Sequence, residues 1–181
     1  MVDMAREERG IRRGTSAAFI VVLSGFAGGY GLLPRLFGFP EQLAERLAFA
    51  ALCAGPVALV LLVAVFMVST TRRFSPEDIG GAAAGPPSPR LALKAAFLQN
   101  TLEQAVITCI AMLAFAAVFA GAWLALVAVT SGLFVLGRVL FYRGYPGGAG
   151  ARALGMGLTL LPGTLLLVMA LMGAVWRAIA G

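Results

Sequence analysis

The sequence predicts an all-α integral membrane bundle, and three observations predict it. Of 181 residues, 60% are hydrophobic and 12% charged, against about 25% charged in an ordinary soluble domain. Four runs, from Gly14 to Pro34, Leu47 to Thr71, Ala95 to Gly137 and Ala153 to Trp176, carry no charge except Glu103. A helix rising about 1.5 Å per residue needs about 20 mostly apolar residues to cross a ~30 Å hydrocarbon core. The third run is long enough for two helices joined by a tight turn near Gly121, so five spans are expected.

The first span, about Thr15–Leu33, follows a tail (residues 1–14) with Arg6, Arg9, Arg12 and Arg13. Asp3, Glu7 and Glu8 in that tail, and an apolar stretch longer than a 7–15-residue signal core, predict an uncleaved helix. The second span, Leu47–Thr71, ends at Arg72-Arg73. After it, Phe74 to Pro89 holds Pro76, Gly80, Gly81 and Gly85-Pro86-Pro87-Ser88-Pro89, which no helix survives, and is read as a loop. The third span is Ala92–Ala120, the fourth Ala122–Tyr142 and the fifth Ala153–Trp176. Gly55-Pro56 and Pro162 are expected to bend the second and fifth spans.

Basic residues set the expected topology. With the amino terminus inside, eleven of the 14 basic residues (Arg6, Arg9, Arg12, Arg13, Arg72, Arg73, Arg90, Lys94, Arg138, Arg143 and Arg152) fall on the cytoplasmic side. Only Arg35, Arg46 and Arg177 fall outside, which satisfies the positive-inside rule. The same placement explains the net charge of +6 without nucleic acid, whose binding requires a basic patch on a soluble face. The chain has no histidine, and Cys53 and Cys109 stand in different spans without ligand-like spacing. No metal site or disulfide framework is expected.

Two polar stripes remain. Gln99-Asn100-Thr101-Leu102-Glu103-Gln104 is the one dense polar cluster in any span, and Glu103 is the last acidic residue of the chain. An ionised side chain at a helix centre costs roughly 2.5–3.5 kcal/mol on insertion scales, so a partner or a functional role is expected. Arg138, Phe141, Tyr142 and Tyr145 lie within about 100° of one face of the fourth span. Arginine beneath aromatic rings suits a planar anion, although Arg and Tyr also anchor helices at headgroup depth. Arg138 is the expected partner of Glu103.

These residues resemble those of the MAPEG family, the membrane-associated proteins of eicosanoid and glutathione metabolism. Thr71-Arg72-Arg73-Phe74 is similar to the family's arginine pair closing its first helix. Gln99-Asn100-Thr101-Leu102-Glu103 resembles its Asn-x-x-Glu signature, and Gly137-Arg138 through Tyr145, then Arg152, its Arg…Gly-Tyr…Arg run. The resemblance implies a four-helix core over 47–181, with the first span and its loop (15–46) as an addition. It also implies a homotrimer that binds glutathione as co-substrate between subunits and acts on a lipophilic partner. Carried over by position, Asn100 and Glu103 would contact the tripeptide. Arg138 and Tyr145 would hold a carboxylate with Arg72 nearby, and Arg73 or Arg152 would stabilise the thiolate. Two positions depart: Ala96 stands where many members have an arginine, and Phe141 where some present a tyrosine.

The implied function is a glutathione-dependent transferase or peroxidase for lipophilic substrates. A non-catalytic membrane scaffold and a small proton-coupled transporter using Glu103 are the alternatives. The expected setting is a bacterial inner membrane, in contact with lipid.

Overall fold

The computed structural model describes residues 3–81 and 85–180. Five long helices account for nearly all of it: α1 Met4–Leu36, α2 Leu43–Arg73, α3 Pro89–Val118, α4 Ala125–Gly144 and α5 Gly148–Ala180. Four stretches are long and apolar enough to cross a membrane, the last of which, Gly121–Ala180, contains both α4 and α5. Large side chains such as Leu52, Leu59, Phe66, Leu171, Trp176 and Ile179 stay exposed on the bundle surface. A soluble monomer rarely leaves so continuous an apolar coat uncovered; here it faces lipid.

Helix ends follow local chemistry. Asp3 accepts the N–H of Arg6 and caps α1, so the basic segment expected to be a tail is the first turns of the helix. Ser88 caps α3 by accepting the N–H of Leu91, with Pro89 in the first turn. Gly121, at φ +57°, makes the turn between α3 and α4, a backbone state that favours glycine. A short 3-10 helix, Gly121–Leu124, completes the turn, and another, Tyr145–Gly147, joins α4 to α5. The helices run through Pro34, Pro56 and Pro162.

Contact registers give the topology. Gly137 of α4 lies against Thr159 of α5, and Gly144 against Ala151, so these helices are antiparallel. Gly10 meets Gly150 and Ala18 meets Gly157, so α1 and α5 run parallel. Thr108 lies beside Gly163, and Val118 beside Gly173, which makes α3 parallel to α5 as well. A hydrogen bond from Lys94 to Thr71 ties α3 to the far end of α2. Thus α5 is the central element, flanked by α1, α3 and α4, while α2 packs on α3 and α4. The core is built from Met112 and Phe115 of α3, Phe134 of α4, and Leu158 and Leu166 of α5, with Leu124 from the α3–α4 turn, all fully buried. Close packing at α5 rests on small residues: a Cβ at Gly155 would collide with the backbone of Phe141. In lipid, such approaches replace the hydrophobic effect as the source of helix association.

Candidate functional site

Arg138 is the least expected side chain in the bundle, a guanidinium only 1% exposed. It projects from α4, and its partners come from α3 and α5. Nη1 donates to Oδ1 of Asn100 at 2.7 Å, and Nη2 donates to the Thr159 hydroxyl at 2.5 Å. Thr159 in turn donates to the Met156 carbonyl at 2.9 Å, which leaves its lone pairs for the arginine. Nε has no partner. The ring of Phe141 lies 4.5 Å from the guanidinium carbon and that of Phe134 lies 5.8 Å from it, in cation–π range.

The expected pairing with Glu103 is not formed. Glu103 is exposed, one turn beyond Asn100 and outside the buried stripe of α3, and accepts instead from Nε2 of Gln99, at 2.9 Å. The reason is helical phase. Phe97, Thr101, Gln104, Thr108, Met112 and Phe115 form the buried stripe of α3, and Glu103 points away from it. Asn100, at the border of that stripe, takes the arginine. The one ion pair among the described residues is Arg12–Glu8, in the first turns of α1.

Beside this network lies a cleft of about 360 Å³. Asn100 of α3, Phe141 of α4, Tyr145 of the α4–α5 turn, and Arg152 and Met156 of α5 line one part of it. Arg152 lies over the Tyr145 ring at 4.7 Å and over Phe141 at 5.8 Å. Phe141 therefore contacts two guanidinium groups, one buried and one at the cleft wall. Leu160 and Leu161 of α5, with Ile11 and Thr15 of α1, line the remainder. No acidic side chain lines the cleft. Oδ1 of Asn100 accepts from Arg138, and its two N–H groups remain as donors.

The residues expected to act together divide into two groups. Asn100, Tyr145 and Arg152 converge on the cleft. Arg138 stands behind Asn100 rather than in the cleft wall, so it orients a wall residue and does not itself reach a ligand there. Arg72 and Arg73, at the end of α2, are exposed and do not line the cleft. Arg73 lies over Phe74 at 5.5 Å. Arg72 borders a separate hollow with Glu77 and Asp78. Three contributors escaped the sequence reading. Thr159 was detectable, as the hydroxyl at i+7 from Arg152 and one turn beyond Met156 on α5. Ile11 lies in the basic segment that predicts a tail, and Thr15, at the start of the predicted first span, carries no sequence signal that sets it beside Arg152.

The MAPEG family model matches residues 49–172, from the first turns of α2 nearly to the end of α5. The chain belongs to the MAPEG family. No curated protein and no solved structure matches it. The MAPEG match spans all three helices that hold Arg138 and its partners, and stops short of α1. The protein is thus a multi-helix MAPEG membrane protein with a cationic, aromatic cleft at the arginine-rich end of its bundle.

Proposed function

We propose that this MAPEG protein is a glutathione-dependent transferase or peroxidase for lipophilic substrates, with the α3–α4–α5 cleft as its glutathione site. One observation carries the reading: Asn100, Tyr145 and Arg152, from three separate elements, converge on a cleft with no acidic lining, backed by a buried arginine. Such a wall offers N–H, O–H and guanidinium donors to an anion. Glutathione supplies two carboxylates and, once ionised, a thiolate. A free thiol titrates near pH 8.5, and the thiolate is the nucleophile. Lowering that pKa by one unit takes about 1.36 kcal/mol of preferential stabilisation, within the reach of one guanidinium in a partly dry site.

In the transfer reaction, the thiolate sulfur forms a bond to an electrophilic carbon, and the leaving group departs with its electron pair. With a peroxide, sulfur attacks oxygen and the O–O bond breaks. The alkoxide takes up a proton, and a second glutathione condenses with the sulfenic acid to give a disulfide and water.

Assembly as a homotrimer, with glutathione held between subunits near the cytoplasmic face, belongs to the same proposal. Glu103 supports it. A carboxylate near the midpoint of a membrane helix and exposed on its surface is costly against lipid, and a neighbouring chain would cover it. Arg72 and Arg73, exposed in the single chain, would then face the neighbour's cleft. A scaffold reading is favoured by one observation, that Arg138 already engages Asn100 as helix glue would. Calorimetric titration of the detergent-purified protein separates the two. Saturable heat with glutathione is expected, and no heat up to millimolar concentration would leave the scaffold standing.

A further inference from the structure

We infer that α1, which lies outside the matched stretch, is the wall that selects the lipophilic substrate. Ile11 and Thr15 would bound the α1 side of the cleft and limit the acceptor to a compact apolar group. The inference rests on the glutathione reading of the cleft's α3–α4 side.

The position of α1 is fixed by chemistry rather than by a loose apolar face. Its first half runs along α5 through three close contacts, Gly10 on Gly150, Gly14 on Ala153 and Ala18 on Gly157. A Cβ added at Gly10 would lie 2.8 Å from the Gly150 Cα, so the two backbones touch. One polar bond sets the register: the Glu7 carboxylate accepts the Gly150 N–H at 2.7 Å. That N–H belongs to the first turn of α5, whose unpaired donors and positive dipole end favour an anion. Slippage of α1 by one turn would lose this bond and drive side chains into the glycine contacts.

Held this way, α1 presents Ile11 and Thr15, one turn apart, to the cleft. Neither side chain is consumed in packing; both are exposed. The cleft is therefore two-sided. Asn100 and Tyr145 make a polar wall on the α3–α4 side, Ile11 and Thr15 make the α1 wall, and α5 from Arg152 to Leu160 and Leu161 lies between them. An elongated ligand with an anionic head and a short hydrocarbon arm matches this division. A glutathione thioether has that form, with its sulfur between the two walls. At about 360 Å³ the cleft sits near the lower limit of small-molecule sites, so moving the α1 wall would alter which acceptors fit.

The test uses the full-length protein in detergent, with Cys53 and Cys109 changed to alanine and single cysteines introduced at Ile11, Thr15, Ala149 or Arg9. Ala149 lines the cleft from α5, and Arg9 lies on α1 outside the cleft lining. Maleimide labelling is timed with glutathione sulfonate, which has no thiol, and with S-hexylglutathione. At about ten times its dissociation constant, a ligand covering a position slows labelling roughly tenfold by mass action. The expected result is that both ligands protect Ala149→Cys, only S-hexylglutathione protects Ile11→Cys and Thr15→Cys, and neither protects Arg9→Cys. Protection of Ala149→Cys alone by both ligands would overturn the role of α1 and leave the glutathione site standing. Protection at no position would overturn both. A second variant guards against a cysteine that labels poorly. Ile11→Trp, which fills the α1 side of the cleft, should weaken S-hexylglutathione by about tenfold and glutathione sulfonate by less than about threefold. Equal effects on the two ligands would also overturn the assignment.

Discussion

At one end of the bundle, Arg46 of α2 donates to the Phe119 carbonyl at 3.2 Å, and Arg177 of α5 donates to that of Val118. Both carbonyls belong to the end of α3, where the last turn leaves acceptors unsatisfied and the helix dipole is negative. At the other end, Arg138 meets an amide oxygen, a hydroxyl, a thioether sulfur and two aromatic rings. It meets neither a helix terminus nor a carboxylate. The first pair completes what the backbone lacks, and its charge is answered within the fold. The charge of Arg138 meets only neutral partners and no carboxylate among the described residues, although burying an ion costs several kcal/mol even after relaxation. On the proposed function, an anionic ligand in the adjoining cleft, which has no acidic lining among the described residues, would supply the counter-charge.

The comparison is broken most directly by removing the uncompensated cation. Arg138→Met keeps most of the volume but frees Oδ1 of Asn100, so the amide is no longer held with its N–H groups toward the cleft. Loss of a charge-assisted hydrogen bond of about 1.5–3 kcal/mol should weaken glutathione binding by roughly tenfold to a hundredfold, read by calorimetry. Unchanged affinity would mean that Arg138 is helix glue and that its charge is irrelevant to the site.

Next in size is Arg152→Ala. Arg152 is the cation at the cleft wall, and its removal should raise the pKa of the bound thiol by about one unit. Near neutral pH the thiolate fraction would then fall by up to about tenfold, seen as lost thiolate absorbance when glutathione is added. Arg73→Ala, in the same assay, sharpens the assembly question. An equal effect would require Arg73 to reach a neighbouring subunit's cleft, since it does not line that of its own chain.

Much of this architecture was legible in the sequence, and the limits have physical causes. Uncharged runs marked the five helices, and Gly121 marked the reversal between α3 and α4. Hydropathy could not show that α1 begins at Met4 and α5 at Gly148, because the added turns are charged or glycine-rich and are held by a cap or by packing on each other. Asn100, Tyr145 and Arg152 were identifiable from their spacing and their family likeness. Pairing was harder. Asn100 and Glu103 are one turn apart, and only the buried stripe through Phe97, Thr101, Gln104 and Thr108 shows which of them turns toward α4. Charge alone favoured the carboxylate; helical phase gave the amide.

The opposite end supplies the contrasting variant. Arg46→Met removes the donor to the part-buried Phe119 carbonyl, which should cost about 1 kcal/mol of stability, the usual net worth of such a hydrogen bond. Thermal unfolding in detergent would show it, while glutathione affinity stays within about twofold of the unaltered protein. If Arg46→Met instead weakened binding as much as Arg138→Met, the two ends would be equivalent and the site assignment would lose its electrostatic basis.

The smallest expected effect lies in the Phe74–Ser88 connection. Asp78 is 3% exposed, and its carboxylate accepts the backbone N–H of Ser88 at 2.8 Å and the Ser88 hydroxyl at 2.7 Å. Those two bonds, helped by a hydroxyl bond from Ser75 and the charge of Arg72, hold its pKa below the ordinary 3.8. A depressed acid pKa stabilises the fold above the unfolded value, and the contribution is lost as pH falls through the lower folded value. Ser88 is also the cap of α3, accepting from Leu91 N–H at 3.2 Å, so Asp78 orients the capping hydroxyl. Asp78→Ala should therefore reproduce at neutral pH what strong acid does to the intact protein. Hydrogen exchange in the first turn of α3 would quicken by roughly two- to fivefold, for a cap worth about 0.5–1 kcal/mol. Asn100 lies about three turns further along α3, beyond the reach of a frayed cap, so glutathione binding should not change. A coupled loss of binding would show that the loop and the cleft open as one unit, and that the arginine-rich end is less rigid than the packing of Gly155 against Phe141 implies.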